Sequence, residues 1–150
     1  MLVLADGCRV CVGLDSVDGV FELSAPGDRE AVVPGAGGRL PLVTWGELIG
    51  VPPPADAAPP SQVMVVRTPA GRVALAAQAC LGIREASFGT APVLATTLAD
   101  GAGEPRCFVH LIDRRPHFIL DPRAIAQALA ARDAAPAGAG DAGATPEAAP

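Results

Sequence analysis

The chain has 150 residues, half of them apolar, and a net charge of -5 at pH 7. That length and apolar content suffice for one packed unit, or for two small units that share a core. All 11 basic residues are Arg, spread without a cluster. This excludes the basic footprint of a nucleic-acid-binding protein and any lysine-dependent Schiff base or phosphate-binding loop.

The amino-terminal sequence MLVLAD lacks the charged and apolar regions of a signal peptide. No apolar run approaches the roughly 20 residues that cross a bilayer. We therefore expect a soluble cytoplasmic protein without direct membrane insertion, whose four Cys residues are reduced thiols.

Short runs of apolar and β-branched residues, bounded by Gly, Pro and Asp, predict two groups of five strands. The Pro-rich stretch 52–60 separates the groups and cannot join a sheet, because proline lacks the N–H that a β-ladder needs. The first group is predicted at 2–5, 9–13, 19–23, 31–33 and 39–43. The second group is predicted at 61–67, 72–76, 82–87, 106–112 and 116–120.

A short helix is predicted after each group of strands. Thr44 and Glu47 have the spacing of a capping box, in which both side chains satisfy free backbone N–H groups at the start of a helix. That helix would end near Gly50. Asp121 has the position of an N-cap for a second helix over 122–132, which begins with proline.

The two groups of strands share sequence features. Segments 9–12 and 19–22 recur, with one constant offset, as 72–75 and 82–85. We interpret this as a duplicated unit of five strands and a terminal helical turn. Two such units predict a pair of small barrels that pack together, since neither is large enough to be stable alone.

The same signals predict the organisation of the chain. One domain is expected over 1–132, with a first subdomain over about 1–51 and a second over about 61–132. The linker 52–60 joins them. Residues 133–150 are rich in Ala, Gly and Pro and have no apolar pattern, which predicts a disordered tail.

Candidate metal ligands are present but incomplete. Cys8 and Cys11 have redox or metal spacing, yet positions i and i+3 of a strand point to opposite faces, and no second pair completes a zinc site. His110 and His117 flank a predicted hairpin turn and would share one face, but two imidazoles without a third ligand make a poor site. Half-exposed strand histidines are the simpler interpretation, and we predict no metal and no cofactor.

An enzyme is the weaker hypothesis, and we predict no catalytic residue. Ser87, His110 and Asp113 include the three residue types of a hydrolase triad, but nothing around Ser87 resembles a nucleophile elbow. The Gly-rich stretch 34–38 opens onto a strand and lacks the helix N-terminus that binds phosphate, so a hairpin turn explains it. A small hydrolase or metal-dependent enzyme that uses the histidines remains as an alternative.

The order and spacing of these segments resemble the CheW-like domain family over residues 2–132. The matching stretches are 10–21 (VCVGLDSVDGVF), 38–51 (GRLPLVTWGELIGV) and 63–85 (VMVVRTPAGRVALAAQACLGIRE), and 117–125 fits the family's closing hairpin and helix. The resemblance implies a mainly β fold of two intertwined five-stranded SH3-like barrels with short helices. It also implies a non-enzymatic adaptor in bacterial chemosensory signal transduction.

The resemblance further implies partners and a partner-binding surface. One barrel would contact the regulatory domain of a CheA-type histidine kinase, and a groove involving both barrels would receive the helical signalling tip of a chemoreceptor (a methyl-accepting chemotaxis protein). The residues it assigns to this surface are Val17, Asp18, Gly19, Val20, Gly37, Gly38, Arg39 and Leu40. Periodicity leaves open whether Val17 and Val20 are simply core.

The chain departs from the family on this surface. Many members carry an acidic residue where this chain has Gly19, and an Arg in the turn that corresponds to 35–38. Both are absent, as expected for a charge pair lost as a unit, and the connection 23–32 is shorter than usual. A second hypothesis is therefore a divergent CheW-like module that has lost kinase binding and serves a receptor or another scaffold.

Overall fold

A computed structural model describes residues 1–23, 30–33, 38–50, 52–83, 85, 94–96, 107–112 and 114–134, with 94–96 as backbone alone. The described part is mainly β. Its strands are β1 Leu2–Ala5, β2 Cys8–Val12, β3 Val17–Glu22, β4 Glu30–Val33, β5 Gly38–Val43, β6 Gln62–Thr68, β7 Gly71–Ala77, β8 Ala79–Gly82, β9 Leu94–Thr96, β10 Cys107–Ile112 and β11 Arg115–Leu120. Its helices are α1 Trp45–Ile49, α2 Pro122–Ala134 and a 3-10 helix, Leu14–Ser16.

All predicted strands but one lie within two residues of an observed strand. The strand predicted at 82–87 is wrong at its described residues, because 83 and 85 lie in no strand. The observed strand β8 occupies Ala79–Gly82 and pairs with β1, so that Ala79 lies opposite Leu4. The strand ends at Gly82, whose φ of +97° departs from the regular extended conformation. Strand β9 was not predicted. Ser87 and Asp113 lie outside the described residues.

The strands form two sheets. A six-stranded sheet has the order β8-β1-β2-β11-β10-β9, and a five-stranded sheet has the order β3-β6-β7-β5-β4. The predicted fold class, two small intertwined barrel-like β units with short helices, is confirmed, with one strand more than expected in the first sheet. The two units are intertwined because parallel pairs join strands from the two halves of the sequence. Val10 of β2 lies opposite Phe118 of β11, and Leu42 of β5 lies opposite Ala74 of β7.

The sheets do not follow the two halves of the sequence. Strands β1 and β2 come from the first half but join the sheet made mainly by the second half, whereas β6 and β7 do the reverse. The subdomain limits at 51 and 61 therefore mark a break along the chain and not a border between sheets. Residues 52–61 contain no strand among those described, as their prolines predict.

The main core lies between the two sheets. Val3 and Val10 of the six-stranded sheet, Met64 and Leu75 of the five-stranded sheet and Ile125 of α2 are fully buried in it. A smaller cluster, which includes Val63 and Val65, fills the five-stranded barrel. Strand β6 is buried on both faces, which explains its unbroken apolar sequence.

Both predicted helix starts are confirmed. The side chain of Thr44 accepts from the backbone N–H of Glu47 and the Glu47 carboxylate accepts from that of Thr44, which completes the capping box. The Asp121 Oδ1 atom accepts from the N–H of Arg123 at 2.9 Å. Helix α2 continues two residues beyond the predicted end, so the predicted tail begins as helix. Residues 135–150 lie outside the described part.

Candidate partner-binding site

Four of the predicted partner-binding residues lie on β3, at one end of the strand order of the five-stranded sheet. Val17 and Val20 are half-buried and pack against the main core. Their side chains thus belong in part to the core, the alternative that periodicity had left open. Asp18, between them, is an exposed residue at an irregularity in the pairing of β3 with β6.

Asp18 joins β3 to the neighbouring hairpin through two ion pairs. Its Oδ1 atom lies 3.2 Å from Nε of Arg67, and its Oδ2 atom lies 3.8 Å from Nη1 of Arg72. Arg67 also donates from Nη2 to the carbonyl oxygen of Asp15, in the 3-10 helix. One arginine therefore contacts residues on both sides of Val17.

Gly19 leaves room for an aromatic ring. A Cβ atom at this position would lie 3.0 Å from Cε2 and 3.1 Å from Cζ of Phe21. An acidic side chain here, as in many CheW-like proteins, would require the Phe21 ring to move. The glycine is thus matched to its neighbour within this chain.

Three of the four remaining predicted residues lie on β5, toward the opposite end of the strand order. Gly38 is exposed with a φ of +114°, and Arg39 places Nη1 3.3 Å from Oε2 of Glu30, both side chains being more than half exposed. Leu40 is a correction, because its side chain is buried in the smaller cluster and leaves little surface for a partner. Gly37 lies outside the described residues.

An apolar cavity of about 460 Å³ opens beside the six-stranded sheet. Leu2, Cys11 and Ile119 line it and are directly paired neighbours on adjacent strands. Residues paired in this way share one face of a sheet, and Val3 and Val10, one position along, face the main core. The cavity therefore lies on the face that the main core does not use.

The rim of the cavity is apolar and exposed. Leu14, in the 3-10 helix, is 51% exposed, and Ile83, just after β8, is 63% exposed. Large apolar side chains exposed around a concavity mark an interaction site more often than isolated ones do. We call Leu14, Ile83 and the cavity they border the apolar site. Glu85 is the acidic residue in its lining.

Sequence analysis did not single out the apolar site. Leu14 and Ile83 lie in irregular segments, where alternation carries no information about burial, and the wrong strand at 82–87 concealed the exposure of Ile83. The CheW-like stretches 10–21 and 63–85 contain both residues, so an alignment of related sequences could have identified them.

Three of the four thiols are at least partly buried. Cys8 packs against the main core and Cys11 lines the cavity, which confirms that the pair points to opposite faces. Burial raises the pKa of the Cys11 thiol and raises the pKa of the Cys107 thiol to about 12. Both are therefore neutral, weakly nucleophilic groups at neutral pH.

The histidines lie directly opposite each other on β10 and β11 and share one face, as predicted. His117 is a correction to the expected half-exposed histidine: it is 2% exposed, with Nδ1 2.8 Å from the carbonyl oxygen of Arg115. His110 is half-buried. The part of the chain that the structure describes holds no group of three potential metal ligands and no helix long and apolar enough to cross a membrane.

The similarity found between this chain and known proteins is one of structure. No family model matches the chain, and no curated protein matches it. Among solved structures, the chain is similar to the scaffolding protein TtCheW from Thermoanaerobacter tengcongensis, with a TM-score of 0.51 and 15% sequence identity over 80% of this chain and 86% of that one. This similarity shows a CheW-like fold.

Proposed function

We propose that this protein is a non-enzymatic adaptor of bacterial chemosensory signal transduction and that the apolar site receives the helical tip of a chemoreceptor. The exposed apolar rim formed by Leu14 and Ile83 is the observation that carries the proposal. The CheW-like fold supports it, because the similar protein is a scaffolding protein. The proposal places the protein in the cytoplasm.

The apolar site is suited to a helix. An amphipathic helix binds by inserting apolar side chains, spaced three or four residues apart, into a hydrophobic groove. Leu14 lies on the connection between β2 of one sheet and β3 of the other, so a helix that covers it contacts the junction of the two sheets. Covering Leu14 and Ile83 removes two large apolar side chains from water, which supplies the driving force.

The first test measures binding to a helical hairpin that spans a chemoreceptor signalling tip. Leu14→Asp and Ile83→Asp should each weaken binding at least about tenfold, equivalent to roughly 1.4 kcal/mol, because a charge in the apolar contact loses its hydration. Val32→Asp is the matched control, since Val32 is 48% exposed on β4 and does not line the cavity. Isothermal titration calorimetry gives the affinities.

The affinity of each variant is compared with its stability to denaturant. All three positions are about half exposed, so the variants should unfold at the same denaturant concentration as the wild type. Equal loss of binding in Leu14→Asp and Val32→Asp would contradict the proposal. Absence of wild-type binding to receptor tips at high micromolar concentration would count against the receptor as partner.

A second candidate is a divergent module that binds a receptor or another scaffold but no kinase. The Phe21 ring against Gly19 favours it, because the space for the acidic residue of many family members is filled. Titration with the regulatory domain of a CheA-type kinase separates the two candidates. Kinase binding that survives charge substitution at Gly19 and Gly37 would argue against the divergent module.

A further inference from the structure

Two arginines face each other beside the apolar site. Arg67 of β6 and Arg72 of β7 are directly paired across the hairpin. Their side chains are 57% and 43% exposed, respectively, and both approach the carboxylate of Asp18, whose side chain is 25% exposed. The three side chains form one surface cluster. We call Arg67 and Arg72 the arginine pair.

The charges of this cluster do not balance. Like charges directly opposite each other on adjacent strands destabilise a sheet, and Asp18 compensates one of the two. Arg67 is held at 3.2 Å, within hydrogen-bond distance, but Arg72 lies 3.8 Å from the carboxylate. No second acidic side chain forms an ion pair with either arginine within the described ranges, so the single carboxylate contact of Arg72 is the one at 3.8 Å.

The cluster is connected to the apolar site through the backbone. Arg67 donates to the carbonyl oxygen of Asp15, and the preceding residue, Leu14, forms the rim of the cavity. A partner segment that covers Leu14 therefore passes close to the arginine pair. Its charge complement would be a carboxylate, the group that arginine binds through paired, charge-assisted hydrogen bonds.

We propose that Arg72, together with Arg67, binds an acidic side chain of the partner that occupies the apolar site. The occupant is then a helical segment whose apolar residues enter the cavity and whose flanking Asp or Glu reaches the arginine pair. This rests on the proposed function of the apolar site and adds the charge of the segment that the site selects.

The test uses two synthetic amphipathic helical peptides, one with Leu on its apolar face and flanking Glu residues, and one with Gln in place of every Glu. The full chain should bind the Glu peptide at least fivefold more tightly at low salt, and that preference should shrink as salt screens the charges. Arg72→Gln should abolish the preference. Arg123→Gln, at an exposed position of α2 that does not line the cavity, is the matched control and should leave it unchanged.

Nuclear magnetic resonance of the arginine Nε–H groups gives a readout independent of affinity. The Glu peptide should shift the Arg72 and Arg67 signals, and the Gln peptide should not. Equal affinities for the two peptides, or unshifted arginine signals, would overturn the proposal. Arginine signals that move when residues 135–150 are deleted, but not with peptide, would assign the site to the chain's own acidic tail and overturn it as well.

Leu14→Asp separates this inference from the proposed function. If it weakens binding of both peptides while the wild type shows no preference for Glu, the apolar site stands and the arginine pair has no part in selection. If Leu14→Asp has no effect on either peptide, the proposed use of the apolar site fails. If neither peptide binds and no arginine signal moves, both ideas are wrong.

Discussion

Cys107 shows how burial alone sets the chemistry of a side chain. It is fully buried at the start of β10, and its pKa in the folded protein, about 12, exceeds the usual value of 9.0. Above pH 9 the unfolded thiol loses its proton while the folded thiol keeps it. The contribution of Cys107 to the free energy of unfolding is therefore fully present below about pH 9 and is lost as the pH rises toward 12.

Replacing Cys107 by Ala tests this sign. Between pH 9 and 10.5 the free energy of unfolding of the wild type should fall more steeply than that of Cys107→Ala, by up to about 1.4 kcal/mol per pH unit. Urea unfolding at several pH values measures both slopes. All other groups are the same in both proteins and cancel in the comparison, so identical slopes would contradict the prediction.

Residue roles followed from the sequence where local chemistry decides them. Thr44, Glu47 and Asp121 were identified as capping residues because the spacing of a cap is contained within one turn of helix. Leu40 could not be assigned in this way, since its burial depends on a smaller core assembled from four different strands. The exposure of Leu14 was equally hidden, because it depends on which strands meet around it.

At the scale of elements, α1 depends on contacts from outside its own sequence. Five residues are too few for a helix to be stable alone in water, and α1 is held by its capping box and by Asp6. The Asp6 Oδ2 atom accepts from the N–H of Gly46 at 2.7 Å. Asp6 lies in the β1–β2 turn, so this hydrogen bond ties the six-stranded sheet to the helix that follows β5.

Substitution of Asp6 should therefore loosen α1. Asp6→Ala removes the acceptor and places Ala at a φ of +47°, and we expect a loss of about 1–3 kcal/mol. Asp6→Asn keeps an acceptor and tolerates that φ, so it should cost less. Urea unfolding followed by the fluorescence of Trp45, the single Trp of the chain, measures both; equal losses would contradict this account.

The strands illustrate how far a local pattern predicts an element. Most strand positions were predicted within two residues, because apolar runs and Gly or Pro boundaries are local features. Strand β8 was misplaced because its position is fixed by pairing with β1, more than seventy residues earlier, and by the φ of Gly82. Neither is visible in the alternation of residues around 82–87.

At the scale of the whole molecule, the shared core joins both sheets. The rings of Trp45, on α1 after the five-stranded sheet, and Phe118, on β11 of the six-stranded sheet, have centroids 5.1 Å apart. Arg132 of α2 also donates to the carbonyl oxygen of Leu42 on β5 at 2.9 Å. Neither sheet keeps its buried face covered without the other.

We therefore expect a single cooperative unfolding transition. Trp fluorescence, which reports the shared core, and far-ultraviolet circular dichroism, which reports both sheets, should give the same midpoint in urea. Phe118→Leu should lower both midpoints equally, because it weakens the one core. Two separated transitions, or a shift of the fluorescence midpoint alone, would show that the sheets unfold independently.

The duplication seen in the sequence predicted two similar units but not how their strands are shared. Repeats such as 9–12 and 72–75 indicate which segments are alike, and both became strands in hairpins. Repeats carry no information about which strands pair with each other, so the exchange of hairpins between the sheets could not be predicted from them. Exchange requires parallel pairs, whose members are necessarily distant along the chain.

The parallel pairing of β2 with β11 has a consequence for synthesis in the cell. The strand that covers the free edge of β2, Arg115–Leu120, is synthesised long after β2 itself. Until then Val10 and its neighbours are an unprotected apolar hairpin, a template for aggregation. Slow elongation between β2 and β11 would prolong this exposure.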